Sequence, residues 1–408
     1  MNQGKQVNRM NIGLKSFLMA NVLVMIFTGC ETESTQPEDN LCNPSGVSGE
    51  LLGSEFLITI TPDQFQQYLG LAGAPITFTL DYSVDIHKLS YLTRDKNDEL
   101  TAASGLFMLP RGIDTLDLAS IQHGTIVERS NVGSSNVFSA FDAILLSMKG
   151  YAVAAPDYLG LGDSQGLHPY LHAELSASAV IDMLRSTRVY ACENDINLSD
   201  ELFLAGYSEG GFVTLATQRV METQYPEEFT ITAVAPMAGP YDLAGSTRNI
   251  LLQERYDYPI FLTYLVVAYN DIYGWDRLDE IFNEPYASLL PGLFDGNSSS
   301  SEINAALPKA IDSLFVATFV ESFLDGEELE VNAALLENSF EGWGPIAPVM
   351  LVHGTADSTV AFENSVWAQE KLIENGGVEV ALVPIPGANH LTGAFTGFFI
   401  AQAWFESF

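Results

Sequence analysis

Short hydrophobic runs alternate along most of the chain with segments whose apolar residues recur every three or four positions. The runs predict buried strands and the spaced segments predict helices. The predicted strands are residues 76–84, 100–109, 119–122, 151–155, 202–205, 231–235, 348–352 and 378–383. The first two are expected to be antiparallel, and 119–122 and 151–155 parallel.

Helices are predicted between these strands, over Val137–Lys149, Leu175–Arg185 and Phe212–Met221. Alternation of strands and helices indicates an α/β protein with a mostly parallel central sheet and helices on both faces. Ligands of such sheets bind at the carboxyl ends of the strands. Catalytic and ligand-binding residues are therefore expected where the predicted strands end.

The alternation stops between residues 241 and 343, where helix-like segments at 259–269 and 311–323 are joined by Gly, Pro and a run of serines. This stretch predicts a helical cap or lid inserted into a catalytic domain formed by 51–240 and 344–408. Its aromatic residues either line a substrate pocket or form the core of the cap. They include Tyr256, Tyr258, Tyr264, Tyr269, Tyr273 and Trp275.

The sequence Gly-Tyr-Ser-Glu-Gly at 206–210 lies between the predicted strand 202–205 and the predicted helix 212–221. Strand, sharp turn and helix form the setting of a G-x-S-x-G nucleophile elbow, with glycines where side chains do not fit. A glycine-bracketed serine without this setting is more often an ordinary turn. The setting makes Ser208 the candidate nucleophile.

Two further candidates follow in the chain. Asp357 comes after the predicted strand 348–352, and His390 comes after the strand 378–383. An imidazole that accepts the serine proton and a carboxylate that orients the imidazole are what a serine nucleophile needs. Asp157 is the alternative acid.

His123 and His353, each at the end of a predicted strand, are the alternative bases.

The elbow and the His-Gly-Thr-Ala-Asp sequence at 353–357 resemble the α/β-hydrolase superfamily, from about Leu80 to the end of the chain. The Gly-Tyr-Ser-Glu-Gly-Gly elbow, the segment 156–162 and the long insertion resemble its secretory lipase and esterase branch. The resemblance implies an α/β-hydrolase fold and a Ser-Asp-His triad. It also implies that the amide of Glu209, directly after the nucleophile, donates to the reaction's oxyanion.

The turn after strand 119–122 is expected to supply the second donor of this oxyanion hole. We assign it to the amide of Thr125, with Gly124 as the near alternative. The carboxylate of Glu209 is expected to turn away, towards the helix N-terminus or a neighbouring donor.

His168 and His172 have the i, i+4 spacing of a metal-binding pair, with Glu174 close by. No further ligand completes a zinc site, so a structural role is favoured for both histidines. We expect no metal and no cofactor, because a triad with backbone donors suffices.

The amino terminus resembles a bacterial lipoprotein signal. Three basic residues precede the apolar segment Phe17–Phe27, which ends shortly before Cys30. Residues 1–29 are then a signal peptide, Cys30 carries lipid, and 30–50 form a flexible tether. The protein is expected in the bacterial cell envelope as an outer-membrane lipoprotein. A simple signal peptide, with a secreted or periplasmic product, is the alternative.

If Cys30 carries lipid, Cys42 and Cys192 remain as an even pair of cysteines in an oxidising compartment. Whether the two form a disulfide stays open, because the sequence does not show that they approach each other.

The mature chain has 14 basic and 52 acidic residues, a net charge of −38. Such a surface repels phosphate backbones and anionic headgroups, which excludes nucleic-acid binding and leaves an N-terminal lipid as the membrane contact. A neutral small-molecule or lipid-like ester is the expected substrate. The oligomeric state is left open.

These observations favour a serine carboxylic-ester hydrolase, an esterase or lipase. A serine peptidase of the prolyl-oligopeptidase type is the alternative enzyme, although the chain has no room for that family's propeller. A non-catalytic surface-binding lipoprotein with a hydrolase fold is the alternative from another class.

Overall fold

The computed structural model describes Cys42 and residues 44–71 and 79–408. The predicted signal peptide, Cys30 and most of the predicted tether lie outside these residues and stay predictions. Among the described helices, none combines the length and apolar character needed to cross a membrane.

The described strands form one nine-stranded sheet in the order β1-β2-β3-β5-β4-β6-β7-β8-β9. Strands β1, β2, β3 and β5 pair antiparallel in turn, and every pair from β5 through β4 to β9 is parallel. The strands are β1 Leu51–Ile60, β2 Val84–Arg94, β3 Leu100–Pro110, β4 Leu116–Gln122, β5 Ala152–Pro156, β6 Leu198–Tyr207, β7 Ala233–Met237, β8 Val349–Gly354 and β9 Val380–Ile385.

Helices cover both faces of the sheet, so the predicted architecture is confirmed. The helices are α1 Pro62–Leu71, α2 Phe141–Ser147, α3 Ala173–Glu193, α4 Glu209–Gln224, α5 Leu243–Leu251, α6 Pro259–Tyr273, α7 Leu278–Ile281, α8 Tyr286–Leu293, α9 Ser300–Ala306, α10 Ile311–Leu314, α11 Ala317–Leu324, α12 Leu329–Glu337, α13 Glu363–Glu374 and α14 His390–Phe405.

Strand β6 explains why the core has two halves. Side chains alternate between the faces of a strand, so Leu202 and Leu204 pack with α3 and α4 on one face. Phe203 and Ala205 pack with α2 and α14 on the other. Both sets are buried, which is why the sequence of this parallel strand is a continuous apolar run.

The predicted strand 76–84 is wrong in its described part, because residues 79–83 form no strand and β2 begins at Val84. The N–H groups of Asp81 and Tyr82 instead donate to the carbonyl of Met148, beyond the end of α2. Strand β1 was not predicted. It lies at the sheet edge with most of its side chains exposed, so no regular burial pattern marks it in the sequence.

Two predicted helices are shorter than expected. The segment predicted as a helix over Val137–Lys149 is a 3-10 turn over Val137–Ala140 followed by α2, which ends at Ser147. The segment predicted over 311–323 is broken into α10 and α11, because the backbone of Phe315 is extended and bridges that of Phe282.

Eight helices, α5 to α12, fill the fully described stretch between β7 and β8, where an insertion was predicted. Four phenylalanines of this stretch are buried in the same hydrophobic core as α3 and α4: Phe282, Phe315, Phe319 and Phe323. Tyr264 and Tyr269 on α6 are also buried. Of the two roles predicted for the aromatic residues, pocket lining and packing, these two tyrosines have the role in packing.

A disulfide joins Cys42 to Cys192 near the end of α3, across 150 positions of sequence. The N–H of Gly49 donates to the carbonyl of Leu92 in β2 at 2.8 Å. The tether predicted over 30–50 is therefore corrected at its end, because Gly49 and Glu50 hydrogen-bond the backbone of Leu92 in β2.

Replacing Cys192 with serine is expected to lower the free energy of unfolding by about 2–5 kcal/mol, because the open chain gains the entropy of a long loop. Chemical denaturation of the two proteins measures the difference. A reductant should shift the midpoint of the parent and leave that of Cys192→Ser unchanged. An equal shift in both proteins would contradict the assignment.

Candidate active site

The turn between β6 and α4 holds Ser208 in a backbone conformation that L-residues rarely adopt. Its φ is 63° and its ψ −122°, and Tyr207 and Glu209 belong to the flanking strand and helix. This is the strained strand-to-helix turn that the G-x-S-x-G motif predicted. The turn raises Ser208 above the carboxyl edge of the parallel strands.

The two glycines of the motif are required by space. A Cβ on Gly206 would lie 2.4 Å from the carbonyl oxygen of Gly210, and a Cβ on Gly210 would lie 2.0 Å from that of Gln122. Neither contact is possible without moving backbone atoms of the neighbouring strand β4 or of the turn itself.

Gly210→Ala is therefore expected to destabilise the protein by about 1–3 kcal/mol, the usual range for overpacking. Gly292→Ala is the matched control, since a Cβ there meets nothing within 4 Å on the surface of α8. Urea-induced unfolding measures both. Equal midpoints for the two variants would show that the turn is not closely packed.

Ser208, His390 and Asp357 lie together in one hydrogen-bonded chain. The Nε2 atom of His390 is 2.9 Å from the Oγ of Ser208. Its Nδ1 is 2.6 Å from the Oδ2 of Asp357. Asp357 stands in the loop after β8, and His390 is the first residue of α14.

Asp357 is held in its ionised form. Burial alone would raise its pKa, but hydrogen bonds from His353 and His390, the charge of His390 and the amide of Val360 lower the pKa well below its usual range. The amides of Thr359 and Val360 donate to Oδ1 at 2.9 and 3.0 Å. An ionised acceptor fixes the proton of His390 on Nδ1, which leaves Nε2 free to accept from the serine hydroxyl.

The alternative acid lies elsewhere. The carboxylate of Asp157 is buried and accepts from the hydroxyl of Ser104 at 2.6 Å and the amide of Ser134 at 3.2 Å. Burial raises its pKa, and these hydrogen bonds offset part of the rise. Asp157 therefore belongs to the packing of β3 and β5.

The alternative bases do not contact Ser208 either. The ring of His123 lies 2.7 Å from the carbonyl of Gly124 and 3.2 Å from that of Asp157. The Nε2 of His353 lies 3.2 Å from Asp357 Oδ2, so this histidine supports the acid.

Both predicted oxyanion donors lie beside Ser208. Glu209 is the first residue of α4, so its N–H has no partner within that helix. Gly124 and Thr125 line the same cavity as Ser208, and a Cβ on Gly124 would lie 3.8 Å from that of Ser208. The hydroxyl of Thr125 is 3.0 Å from that of Tyr170, which holds this turn against the segment before α3.

Two cavities meet at Ser208, of about 720 and 450 Å³. The first lies between the sheet, α2 and α14 and is lined by Phe65, Leu69, Phe141, Leu145, Phe395, Phe398 and Phe399. The second lies between the insertion and α13 and adds hydrogen-bonding side chains, among them Asp242, Ser246, Asn249, Gln253, Glu363 and Trp367. Phe261 of α6 borders both, while Tyr258 reaches the first and Tyr256 the second.

His168 and His172, the histidines with metal-pair spacing for which a structural role was favoured, both make hydrogen bonds within the protein. His172 caps α3, accepting from the N–H of Leu175 at 3.3 Å, and Glu174 accepts from Gln224. Across the described residues, no group of three or more His, Cys, Asp or Glu is arranged to hold a metal ion.

Sequence reasoning missed two contacts of the site. The hydroxyl of Tyr207 donates to the carbonyl of His390 at 2.7 Å, which ties the strand before the serine to the histidine loop. The Nε2 of His168 is 2.6 Å from the Oε1 of Glu209. The carboxyl of Glu209 was predicted to turn to a neighbouring donor, but no sequence signal pointed to a residue 41 positions away.

Residues 133–396 match the model of the family described as the alpha/beta hydrolase family. A protein of Legionella pneumophila named as a candidate hydrolase is similar in structure, with 28% identity, a TM-score of 0.80 and coverage of 88% of this chain and 97% of that one. The rice cell wall degrading esterase LipA from Xanthomonas oryzae is 28% identical, with a TM-score of 0.78 and coverage of 88% and 96%.

Candida antarctica lipase A in its closed state shares the fold, at 17% identity, a TM-score of 0.64 and coverage of 88% of this chain and 82% of that one. The search of curated proteins gave no match.

Proposed function

The chain belongs to the alpha/beta hydrolase family, and on that basis we propose that it is a serine carboxylic-ester hydrolase acting through an acyl-enzyme at Ser208. The observation that carries the proposal is the hydrogen-bonded chain from Ser208 through His390 to Asp357. The esterase from Xanthomonas oryzae, similar over most of the chain, supports the choice of esters among hydrolase substrates.

In the first half of the reaction, the Oγ of Ser208 attacks the ester carbonyl while Nε2 of His390 accepts its proton. The ionised Asp357 stabilises the imidazolium that forms. The amides of Glu209 and Thr125 donate to the developing oxyanion, each donor contributing about 10²–10³ in turnover. The imidazolium then gives its proton to the leaving alkoxide, and the alcohol departs.

In the second half, a water molecule attacks the acyl-enzyme with His390 again accepting the proton. The carboxylic acid is released and Ser208 recovers its hydroxyl. The backbone donors serve both tetrahedral intermediates. The chemistry therefore requires only groups that this chain supplies.

The two cavities suggest how an ester is held. The phenylalanine-lined first cavity suits an apolar acyl chain, and the second cavity suits the alcohol, whose hydroxyl or ether oxygens find hydrogen-bonding partners there. The insertion contributes Phe261 at the junction of both, so we propose that it acts as a cap that sets specificity and excludes water.

The test is hydrolysis by the purified protein of p-nitrophenyl esters of increasing acyl length, beside an aminoacyl p-nitroanilide. We expect turnover of the esters and little of the anilide. Faster turnover of the anilide would favour the peptidase alternative. If none of the esters is hydrolysed, whatever its acyl length, the proposal is contradicted and a binding protein with a hydrolase fold is favoured.

A further inference from the structure

A buried carboxyl group directly follows the proposed nucleophile. The side chain of Glu209 is 0% exposed. One of its oxygens, Oε1, contacts His168, while the other, Oε2, is buried and has no hydrogen-bond partner among the described residues. Because the amide of this same residue is expected to face the oxyanion, an uncompensated carboxylate here would oppose the charge that develops during attack.

The hydrogen bonds of His168 determine how many protons the pair holds. Nδ1 of His168 is 2.8 Å from the carbonyl oxygen of Leu159, which only accepts, so Nδ1 carries a hydrogen. Nε2 and the Oε1 of Glu209 then share a second proton. With that proton on nitrogen the pair is an imidazolium and a carboxylate, and with it on oxygen both are neutral. The net charge is zero in both arrangements.

Three tyrosine rings surround His168, at centroid distances of 5.8 Å for Tyr158, 6.2 Å for Tyr170 and 5.8 Å for Tyr264. Burial, with the charge of Glu209 adding to it, raises the pKa of all three phenols well above the ordinary value. The rings therefore stay uncharged, and aromatic faces favour a nearby cation.

Besides Glu209, Asp142 acts electrostatically on Tyr158 of this cluster, and Arg129 acts on Tyr264. Its guanidinium donates to the carbonyls of Gly160 and Gly166. On the other side stand His390 and Asp357, whose Nδ1 and Oδ2 atoms are engaged with each other within the triad. Compensation of the Glu209 carboxyl is thus left to His168.

We propose that His168 is a positioning residue for ester hydrolysis, which holds the carboxyl of Glu209 as half of a neutral pair so that the Glu209 amide meets the oxyanion without an opposing charge. The inference rests on the function proposed above. It assigns a catalytic consequence to a histidine that touches neither the substrate nor Ser208.

The inference predicts a new pH dependence in His168→Gln. Carboxylic acids lose their proton as the pH rises, and only a carboxylate at Glu209, left without His168, would oppose the oxyanion. The kcat of the variant should therefore fall by about 10- to 100-fold with rising pH, over a range where the parent holds its plateau. KM should change little, because the ester itself is uncharged.

The experiment measures kcat and KM for p-nitrophenyl butyrate, from acidic to alkaline pH, in the parent and three variants. His168→Gln tests the loss. The double variant His168→Gln/Glu209→Gln removes the charge as well and should recover activity to within about tenfold of the parent, with a plateau restored. His172→Gln is the matched control, since its side chain caps α3 and does not contact Glu209.

A parent-like profile in His168→Gln would overturn the inference. So would a double variant as defective as the single one or unable to fold, because either result assigns His168 to packing. Should His168→Gln alone fail to fold, a folded and active double variant supports the inference, since it differs only in lacking the carboxyl. Failure of the proposed function is seen separately, as absence of ester turnover in the parent.

Discussion

Replacing Ser208 with alanine is expected to reduce kcat/KM for ester hydrolysis by about 10⁴- to 10⁶-fold, as loss of the nucleophile does in serine hydrolases. The substitution removes only the hydroxyl group. The turn should keep its conformation, because the buried residues of β6 and α4 hold it on either side. Rates of p-nitrophenyl butyrate hydrolysis measure the effect, and unfolding curves should show a fold at least as stable as the parent's.

Unchanged backbone strain is the reason to expect undiminished stability. The backbone of Ser208 has a positive φ, which L-residues rarely adopt, and alanine is strained there no more than serine. The control is Ser288→Ala, at an exposed serine of α8 that hydrogen-bonds Glu284. It should retain the rate of the parent.

A fluorophosphonate probe gives an independent measurement of the same residue. The parent should gain the mass of one phosphonyl group on the peptide that contains Ser208, and Ser208→Ala should gain none. Retention of more than about one per cent of the activity in Ser208→Ala would transfer the nucleophile role to another group and contradict the mechanism.

Replacing Asp357 with asparagine is the second large effect, a loss of about 10⁴-fold in kcat. The amide cannot accept from Nδ1 of His390 while it also accepts from the amides of Thr359 and Val360. It therefore favours the tautomer of His390 in which Nε2 carries the hydrogen and cannot take the serine proton. The rate with p-nitrophenyl butyrate measures the loss.

Asp157→Asn is the matched comparison, because Asp157 is also buried and hydrogen-bonded at the end of a central strand. It should cost about 1–2 kcal/mol of stability and change kcat by less than about threefold. The reverse result, a catalytic loss at Asp157 and a mere loss of stability at Asp357, would exchange the roles of the two carboxylates.

The stability of Asp357→Asn also depends on pH. The pKa of Asp357 is lower in the folded protein than in the unfolded chain. Its ionised form therefore stabilises the fold above the ordinary carboxyl pKa, and this contribution is lost as the pH falls through the lowered value. The difference in unfolding free energy between the parent and the variant should shrink as the solution becomes acidic.

The parallel half of the sheet and the positions of the three triad candidates were predictable from sequence. Strand β6 is buried on both faces, so its apolar run stands out, and the motif that follows it has a fixed geometry. The antiparallel edge was not predictable. Strand β1 pairs on one side only, and its apolar residues Leu52, Phe56 and Ile58 are exposed. Its sequence therefore lacks the alternation of buried apolar and exposed polar residues that marks a strand.

Long-range side-chain contacts were the other limit. The pairing of His168 with Glu209 depends on how the segment before α3 folds over α4, and neither residue has a local signature. Cys42 and Cys192 likewise remained an open pair in the sequence, because composition gives the number of cysteines and not their distance. Sequence patterns thus predict the backbone at the carboxyl ends of the parallel strands better than they predict the polar side-chain contacts around it.

The link between Cys42 and Cys192 also determines how the molecule bears mechanical load. A pull applied to the chain before Cys42 passes through the sulfur atoms into the last turn of α3, a 21-residue helix packed on the sheet. The force therefore does not act on the hydrogen bonds of β1, which would otherwise break one after another. A force applied at the amino-terminal end would therefore reach the longest described helix and leave the edge strand in place.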